Sequence, residues 1–360
     1  MTPLKMWCLM PLTVLLLLSI TPTETKVVQS MSECEGFLLD ETPPNIPGVL
    51  EDGEIMNQTR YKVICQTYND TRRFVTLYDT NNKIPVFSAY KYRRAESVGR
   101  PKTPWKIEPQ LEERDSMSNM WDDTYRRQAS NADYRNTQNY TRGHLFPCCH
   151  ASNNDDKIPT FTLTNIVPQT KSFNCGSWQK MESRLKYVLE KHCINNNDVP
   201  EGFVVTGAKP GTEKLNNKIN IPSVLWSAFC CYNKTTDKWI AGAHWGLNRA
   251  DGPDNLEMKT LEELQQELGI EVFPNTQCPN KTVTEFHSEL DHACQCPPED
   301  TTTSAPPTTT TNMLNPTTHE QPDFCQCPKG ECTLQQYLTT QDSCSRSPVK
   351  ESQAPLFEAN

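Results

Sequence analysis

The chain has 360 residues, 36% of them hydrophobic, with 35 Lys and Arg against 44 Asp and Glu for a formal net charge of −9. A mean hydropathy of −0.66 excludes a multi-span membrane protein, and seven Trp, eleven Tyr and twelve Phe argue against a disordered chain because they can fill a core. Sixteen cysteines point to an oxidising compartment, while the acidic balance argues at first sight against a partner rich in phosphate.

In chain order, Lys5 precedes an apolar run from Met6 to Ile20 and a polar exit at Thr21-Pro-Thr-Glu-Thr25. A spanning helix needs about 20 apolar residues; this run is shorter and contains Pro11, so residues 1–23 read as a cleaved signal peptide and the protein as secreted, with no transmembrane segment. Five sequons fit that route, at Asn57, Asn69, Asn139, Asn233 and Asn280. Removing the signal removes Cys8 and leaves an odd number of cysteines, so at least one is unpaired or bonded to another molecule.

Tyr61–Tyr68, Phe74–Tyr78 and Ile84–Tyr92 are rich in β-branched and aromatic residues and read as strands, the last entered from a turn at Asn81-Asn82. Thr160–Val167, Gly202–Thr206 and Ser223–Tyr232 are further strand candidates. Asn174–Lys191 reads as a helix with Trp178, Met181, Leu185 and Val188 on one face and Glu182 and Lys186 on the opposite flank. A second helix is expected over Leu256–Leu268, stopped by Gly269. Strands, a central helix, more strands and a final helix make an α+β domain, placed at residues 34–296. Residues 297–320 are a Thr/Pro-rich linker and 321–360 a cysteine-containing tail. The echoes Cys294-Gln-Cys-Pro297 and Cys325-Gln-Cys-Pro328 read as disulfide staples rather than zinc knuckles in a secreted chain.

Three segments concentrate the chemistry: Tyr140-Thr-Arg-Gly-His-Leu-Phe-Pro147, Phe161-Thr-Leu-Thr-Asn-Ile-Val-Pro-Gln169 and Ser172-Phe-Asn-Cys-Gly-Ser-Trp-Gln-Lys-Met-Glu182. They hold an imidazole, a guanidinium, two amides and a carboxylate. Phosphodiester hydrolysis needs a base for water, positive donors for phosphate charge and a cation on the leaving oxygen. His144 suits the base because its pKa lies near working pH. Arg142 suits the donor. Asn174 offers a hard carbonyl oxygen to Mg²⁺, which keeps most of its waters. Taken singly, each has a plainer reading, such as a turn histidine or a helix cap. Gly-x-Ser-x-Gly and His-Glu-x-x-His are absent, so lipase-like and zincin hydrolases lack their motifs.

The same segments resemble the DNA/RNA non-specific endonucleases, the ββα-metal (His-Me finger) family that includes secreted bacterial nucleases and mitochondrial endonuclease G. That signature runs Asp-Arg-Gly-His, Ser-Asn-Ile-x-Pro-Gln and Leu-Asn-Gln-x-x-Trp-x-x-Leu-Glu. The resemblance extends through Val86-Phe-Ser-Ala-Tyr90, Trp105-Lys-Ile-Glu-Pro109, Ala132-Asp-Tyr134, Val204-Val-Thr-Gly207 and Gly269-Ile-Glu-Val-Phe273, and so covers most of residues 60–275. Cys34, Ile64-Cys-Gln66 and Thr76-Leu-Tyr-Asp-Thr80 are similar to a vertebrate, notably fish, branch of the family.

The resemblance implies an antiparallel sheet flanked by helices, stapled by disulfides, and a Mg²⁺-dependent endonuclease, with Mn²⁺ as the second metal, acting on DNA and/or RNA. It implies His144 as general base, Asn174 as direct metal ligand, Arg142 as phosphate-side donor, Asn165 as a supporting amide and Glu182 as holder of metal-bound water. Lys186 stands where the family has a second helix arginine, and Arg100 or Lys102 would replace an arginine ahead of the Trp-Lys motif. The first Asp of the signature is Thr141 here, which also completes the sequon at Asn139. If the acid helps assemble the site, this departure predicts reduced activity. The alternative function is a catalytically weak or inactive extracellular glycoprotein module that binds nucleic acid or another ligand.

The acidic total dissolves on inspection. Residues 60–106 hold eleven Lys and Arg against three Asp and Glu, whereas residues 251–360 hold five against eighteen. A basic segment toward the expected cleft would bind phosphate while the distal part stays acidic, and affinity would be salt-sensitive.

Overall fold

The computed structural model describes residues 26–94, 99–112, 125–135, 137 and 139–281. The expected signal peptide, the Thr/Pro-rich linker and the cysteine-containing tail lie outside the described residues. Nine principal strands occur: β1 (Lys26–Val28), β2 (Tyr61–Tyr68), β3 (Thr71–Asp79), β4 (Ile84–Arg93), β5 (Tyr140–His144), β6 (Ile166–Thr170), β7 (Glu201–Lys209), β8 (Val224–Asn233) and β9 (Lys238–Leu247). The α-helices that matter to the fold are α1 (Asn154–Thr160), α2 (Gln179–His192) and α3 (Leu261–Leu268).

Seven strands form one sheet in the order β1-β2-β3-β4-β7-β8-β9, and every pair in it is antiparallel. β5 and β6 stand apart as an antiparallel hairpin that leads into α2, a ββα unit. The class is α+β, as the element order implied.

The sheet is buried on both faces. Successive strand residues point to opposite sides, so Tyr90, Val204, Phe229 and Cys231 pack with Phe146, Trp178, Met181, Leu185 and Val188 of the ββα layer. Their neighbours Ala89, Val205, Ala228 and Cys230 pack with Leu50 and with Leu261, Leu264 and Ile270 in and after α3. The vicinal cysteines on β8 use this alternation. Cys231 bonds Cys193 at the end of α2, and Cys230 bonds Cys278 beyond α3. The third disulfide joins Cys34 to Cys65. One strand therefore anchors both outer layers.

A buried polar row crosses the face toward the hairpin. Thr76 is paired with Ser88, Ser88 with Thr206 and Thr206 with Ser227 in register. Their hydroxyls bond one another at 3.0 Å (Thr76 with Ser88) and 2.9 Å (Thr206 with Ser227). A row of small hydroxyls in a dry interior must be satisfied, and its second member, Ser88, also reaches the layer that carries the hairpin.

Several boundaries differ from the sequence reading. The strand expected at Thr160–Val167 begins only at Ile166, because Thr160 ends α1 and residues Leu163–Asn165 make a tight turn. That stretch is buried throughout, so its alternation carried no amphipathic meaning. The helix expected from Leu256 starts at Leu261: Lys259 is extended and exchanges both main-chain bonds with Ala243 at 2.8 Å. Thr260 then caps the helix reciprocally with Glu263, and Gly269 ends it at φ 74. β9 was not anticipated, since its Ala- and Gly-rich middle has low β-propensity. Its glycines serve packing: a Cβ on Gly246 would lie 2.9 Å from the Phe173 ring, so this strand leaves room for the residue just before Asn174.

The sequons separate by exposure. Asn57, Asn69, Asn139 and Asn280 are exposed, whereas Asn233 is buried and its Oδ1 accepts from Thr236 N at 3.2 Å. Peptide mapping of protein from glycosylating cells should find glycan only at exposed sequons and leave Asn233 bare; an occupied Asn233 would contradict this packing.

Candidate active site

The site is built on the β5–β6 hairpin, in which Arg142 lies opposite Pro168 and His144 opposite Ile166. Two asparagines fix it. Asn248 accepts from Thr170 N at 2.8 Å and donates to Pro168 O at 2.9 Å and Pro222 O at 3.0 Å, tying β6 to the end of the main sheet. Asn165 is fully buried. Its Oδ1 accepts from Ser88 Oγ and Phe146 N, both at 2.9 Å, and its Nδ2 donates to Phe146 O at 3.1 Å and Thr160 O at 3.0 Å. Between Arg142 and His144, Gly143 has no room for a side chain, because Gln169 folds across it and a Cβ would lie 2.8 Å from Gln169 Cβ.

His144 ends β5 in an aromatic pocket. Its ring is 5.3 Å from Trp105 and 5.2 Å from Phe161, edge-on to the latter. The residue is half-buried, but Nε2 is sealed from solvent and has no hydrogen-bond partner among the described residues. Burial, with a further push from the Arg100 charge, lowers the imidazole pKa to about 3. It is therefore neutral at pH 7, and a value this far below the near-neutral one expected from sequence makes it a weaker base in the free protein. His150 makes the contrast: Tyr90 OH lies 2.8 Å from its Nδ1 and Glu182 O lies 2.8 Å from its Nε2, so both ring nitrogens serve the core.

Two guanidiniums flank the pocket. Arg142 lies over the Trp105 and Tyr134 rings at 5.4 and 5.3 Å, and its Nη2 donates to Asn131 Oδ1 at 2.7 Å. Arg100 lies over Phe161 at 4.7 Å. Of the two residues considered for the missing family arginine, Arg100 is thus beside His144, while Lys102 is exposed.

Asn174 is buried at the start of a wider, π-helical turn, Asn174–Trp178, which precedes α2 and includes Gly176 at φ −112, ψ −114. The smooth helix expected from Asn174 is thus interrupted, as turns of this kind often are at functional sites. Asn174 Nδ2 donates to Thr141 Oγ1 at 2.8 Å, and Thr141 Oγ1 donates to Gln169 O at 3.3 Å.

The remaining predicted residues are placed differently. Asn165, expected as a site amide, has all four amide bonds committed to scaffold, so it supports the site from beneath. Lys186 pairs with Glu190 at 3.6 Å along α2, and Tyr92 OH donates to the same carboxylate at 2.8 Å, so the lysine is engaged within its helix. Glu182 lies further along α2; after burial, its charge is the next cause that pushes the Tyr90 phenol up. The basic segment is also not one patch. Arg60 pairs with Asp79 at 2.7 Å, Arg73 with Asp156 at 2.8 Å and Lys91 with Glu201 at 2.7 Å. Sequence reasoning missed Asn131, Phe161 and Asn248, which carry no chemical signature, and the hydroxyl role of Thr141.

Two outcomes follow for the isolated protein. An imidazole whose folded value lies below its unfolded one contributes stability fully above pH 6.5, and that contribution is lost as pH falls toward about 3. Denaturant titrations across that window should show a steeper loss in wild type than in His144→Ala; equal slopes would refute the buried neutral imidazole. Gly143→Ala should cost about 1–3 kcal/mol through overpacking against Gln169, seen as a lower unfolding midpoint.

The chain is similar in sequence to known proteins. A family model described as DNA/RNA non-specific endonuclease matches residues 53–277. Endonuclease domain-containing 1 protein of Homo sapiens is 31% identical over 251 residues, covering 66% of this chain and 45% of that protein. Its Mus musculus counterpart is 30% identical over 242 residues, covering 64% and 45%. The chain thus spans about half the length of these relatives. A nuclease of Serratia marcescens is 24% identical over 212 residues, 54% of this chain and 72% of that one. The solved EndoG/EndoGI complex matches with a TM-score of 0.45 and 18% identity, over 57% of this chain and 85% of that one. With the family model covering well over half of its length, this chain belongs to the DNA/RNA non-specific endonuclease family.

Proposed function

We propose that the protein is a secreted, Mg²⁺-dependent endonuclease that hydrolyses phosphodiester bonds of DNA and/or RNA. The observation that carries this reading is the His144 Nε2: sealed, neutral, without a partner among the described residues and flanked by Arg142 and Arg100. A buried acceptor left unsatisfied by the fold fits a group awaiting the proton of an attacking water.

The donor set fits a hard divalent cation. Among the described residues no three His, Cys, Asp or Glu side chains gather into a cage, so Asn174 would be the direct ligand, with water filling the shell and Glu182 holding one of those waters. Mg²⁺ suits such a set because it retains most of its waters; Mn²⁺ is the second option. When bound, the cation would offset charge on the phosphate and the leaving 3′ oxygen. His144 takes the proton from water. Arg142, assisted by Arg100, offsets the charge that develops on the phosphate. Trp105 and Phe161 wall the imidazole and hold its ring in place. Contacts to phosphate position without reading bases, so cutting would be sequence-tolerant and leave 5′-phosphate ends.

Secretion rests on the N-terminal segment and on three disulfides that need an oxidising compartment. Among the described residues no helix is long and apolar enough to cross a membrane. The nuclease domain would occupy residues 34–296, followed by the linker over 297–320 and the tail over 321–360.

The test is a cutting assay on plasmid DNA and RNA with Mg²⁺, Mn²⁺ or EDTA. Wild type should cut with metal and not with EDTA, and His144→Ala should lower turnover by about 10²–10⁴-fold while DNA binding changes little. Protein that binds DNA but leaves it intact would sink the enzyme reading in favour of a binding module, which the loss of the family Asp at Thr141 and the Asn139 sequon beside it would then explain.

A further inference from the structure

We propose that Thr141 is a positioning residue that decides which end of the Asn174 amide is presented to the metal, an inference that rests on Asn174 being the metal ligand. The argument is one of proton counting. A hydroxyl carries a single proton, and a main-chain carbonyl can only accept. Thr141 Oγ1 donates that proton to Gln169 O at 3.3 Å. Its 2.8 Å contact with Asn174 must then be supplied with a proton from the other side, by Nδ2. The three groups form a polarised chain, Asn174 to Thr141 to the Gln169 carbonyl, and Oδ1 is the end of the amide directed away from it. Reversing the amide would bring Oδ1 against the hydroxyl and force its proton off Gln169. That sacrifices a hydrogen bond, or sets two lone pairs against each other beside the buried Asn174 side chain.

The geometry also accounts for the departure from the family signature. A carboxylate at position 141 would be an acceptor only, and would hold Nδ2 in the same sense. Threonine gains that acceptor character from its bond to a backbone carbonyl, so the orientation of Asn174 is retained and one negative charge is given up. The turn reinforces it. Asn174 opens the π-helical turn and is buried, so the amide reaches Thr141 from a fixed backbone rather than from a flexible surface.

The experiment uses the full chain and two readouts. Mn²⁺ binding in the absence of nucleic acid is followed by electron paramagnetic resonance, and the Mg²⁺ dependence of cutting is measured in parallel. Thr141→Val keeps the shape and removes the acceptor; Thr141→Ala is a second variant of the same kind. Partners of a metal ligand typically change affinity by about 10–100-fold, so both variants should bind Mn²⁺ at least about 10-fold more weakly and shift the Mg²⁺ requirement upward. Thr141→Ser should restore binding relative to Thr141→Val. Asn139→Gln, which removes the same sequon as Thr141→Val, should leave metal binding as in wild type and so separates glycan loss from hydroxyl loss. If folded Thr141→Val binds Mn²⁺ as wild type does while Asn174→Ala does not, the positioning role of Thr141 is overturned and the ligand assignment stands. If Asn174→Ala also binds as wild type, both are overturned.

Discussion

The hairpin that carries Arg142 and His144 belongs to no larger sheet, so no ladder of main-chain bonds holds it against the body of the molecule. Side chains must do it, and the Asn165 amide does most. An amide has two protons and two lone-pair directions; here all four are met, by β4 through Ser88, by the end of α1 through Thr160, and twice by Phe146 just beyond His144. In a dry interior, leaving one of these groups unsatisfied would cost about 1–3 kcal/mol. Ser88, within the polar row on the sheet, takes Thr76 on one side and donates to Asn165 on the other. With Gln66 Nε2 on Thr164 Oγ1 and Tyr90 OH on His150, that bond is one of several hydrogen-bonded ties between the sheet and the layer above, which apolar packing alone would let slide.

Much of this was legible in the residues. Strand cores at Tyr61–Tyr68 and Ile84–Tyr92 announced themselves by β-branched and aromatic content, and Gly269 marks the end of α3, whose start was expected five residues before Leu261. The chemical segments were legible through their resemblance to the family signature, since each residue taken singly has a plainer reading. What failed did so for identifiable reasons. β9 hides because Gly242 and Gly246 are dictated by the rings of Phe229 and Phe173 above them, a tertiary demand that no local propensity reports. The stretch from Thr160 to Val167 is buried on all sides, and alternation is informative only where one face meets water. Asn165 looked like a chemical amide because its type suits chemistry; only its surroundings show that its capacity is used up.

Charge taught a similar lesson. A count along the sequence finds a basic segment, yet much of that charge is neutralised locally, Arg60 by Asp79 and Arg73 by Asp156. The cations that matter to the site, Arg100 and Arg142, are singled out by aromatic faces instead. Rings hold a guanidinium in place without cancelling its charge, and Arg142 and Arg100 lie over Trp105 and Phe161. The low pKa of His144 comes from burial, with a further push from the Arg100 charge.

The hydroxyl chain from Asn174 to Gln169 has a consequence for acid tolerance. A carboxylate in that position would itself take up a proton as the medium acidifies, and on doing so would become a donor able to turn the amide around. The threonine hydroxyl and the peptide carbonyl behind it do not titrate in any range the fold survives. Acid that protonates the imidazole or the paired carboxylates therefore leaves this hydroxyl chain, and the orientation of the Asn174 amide, unchanged.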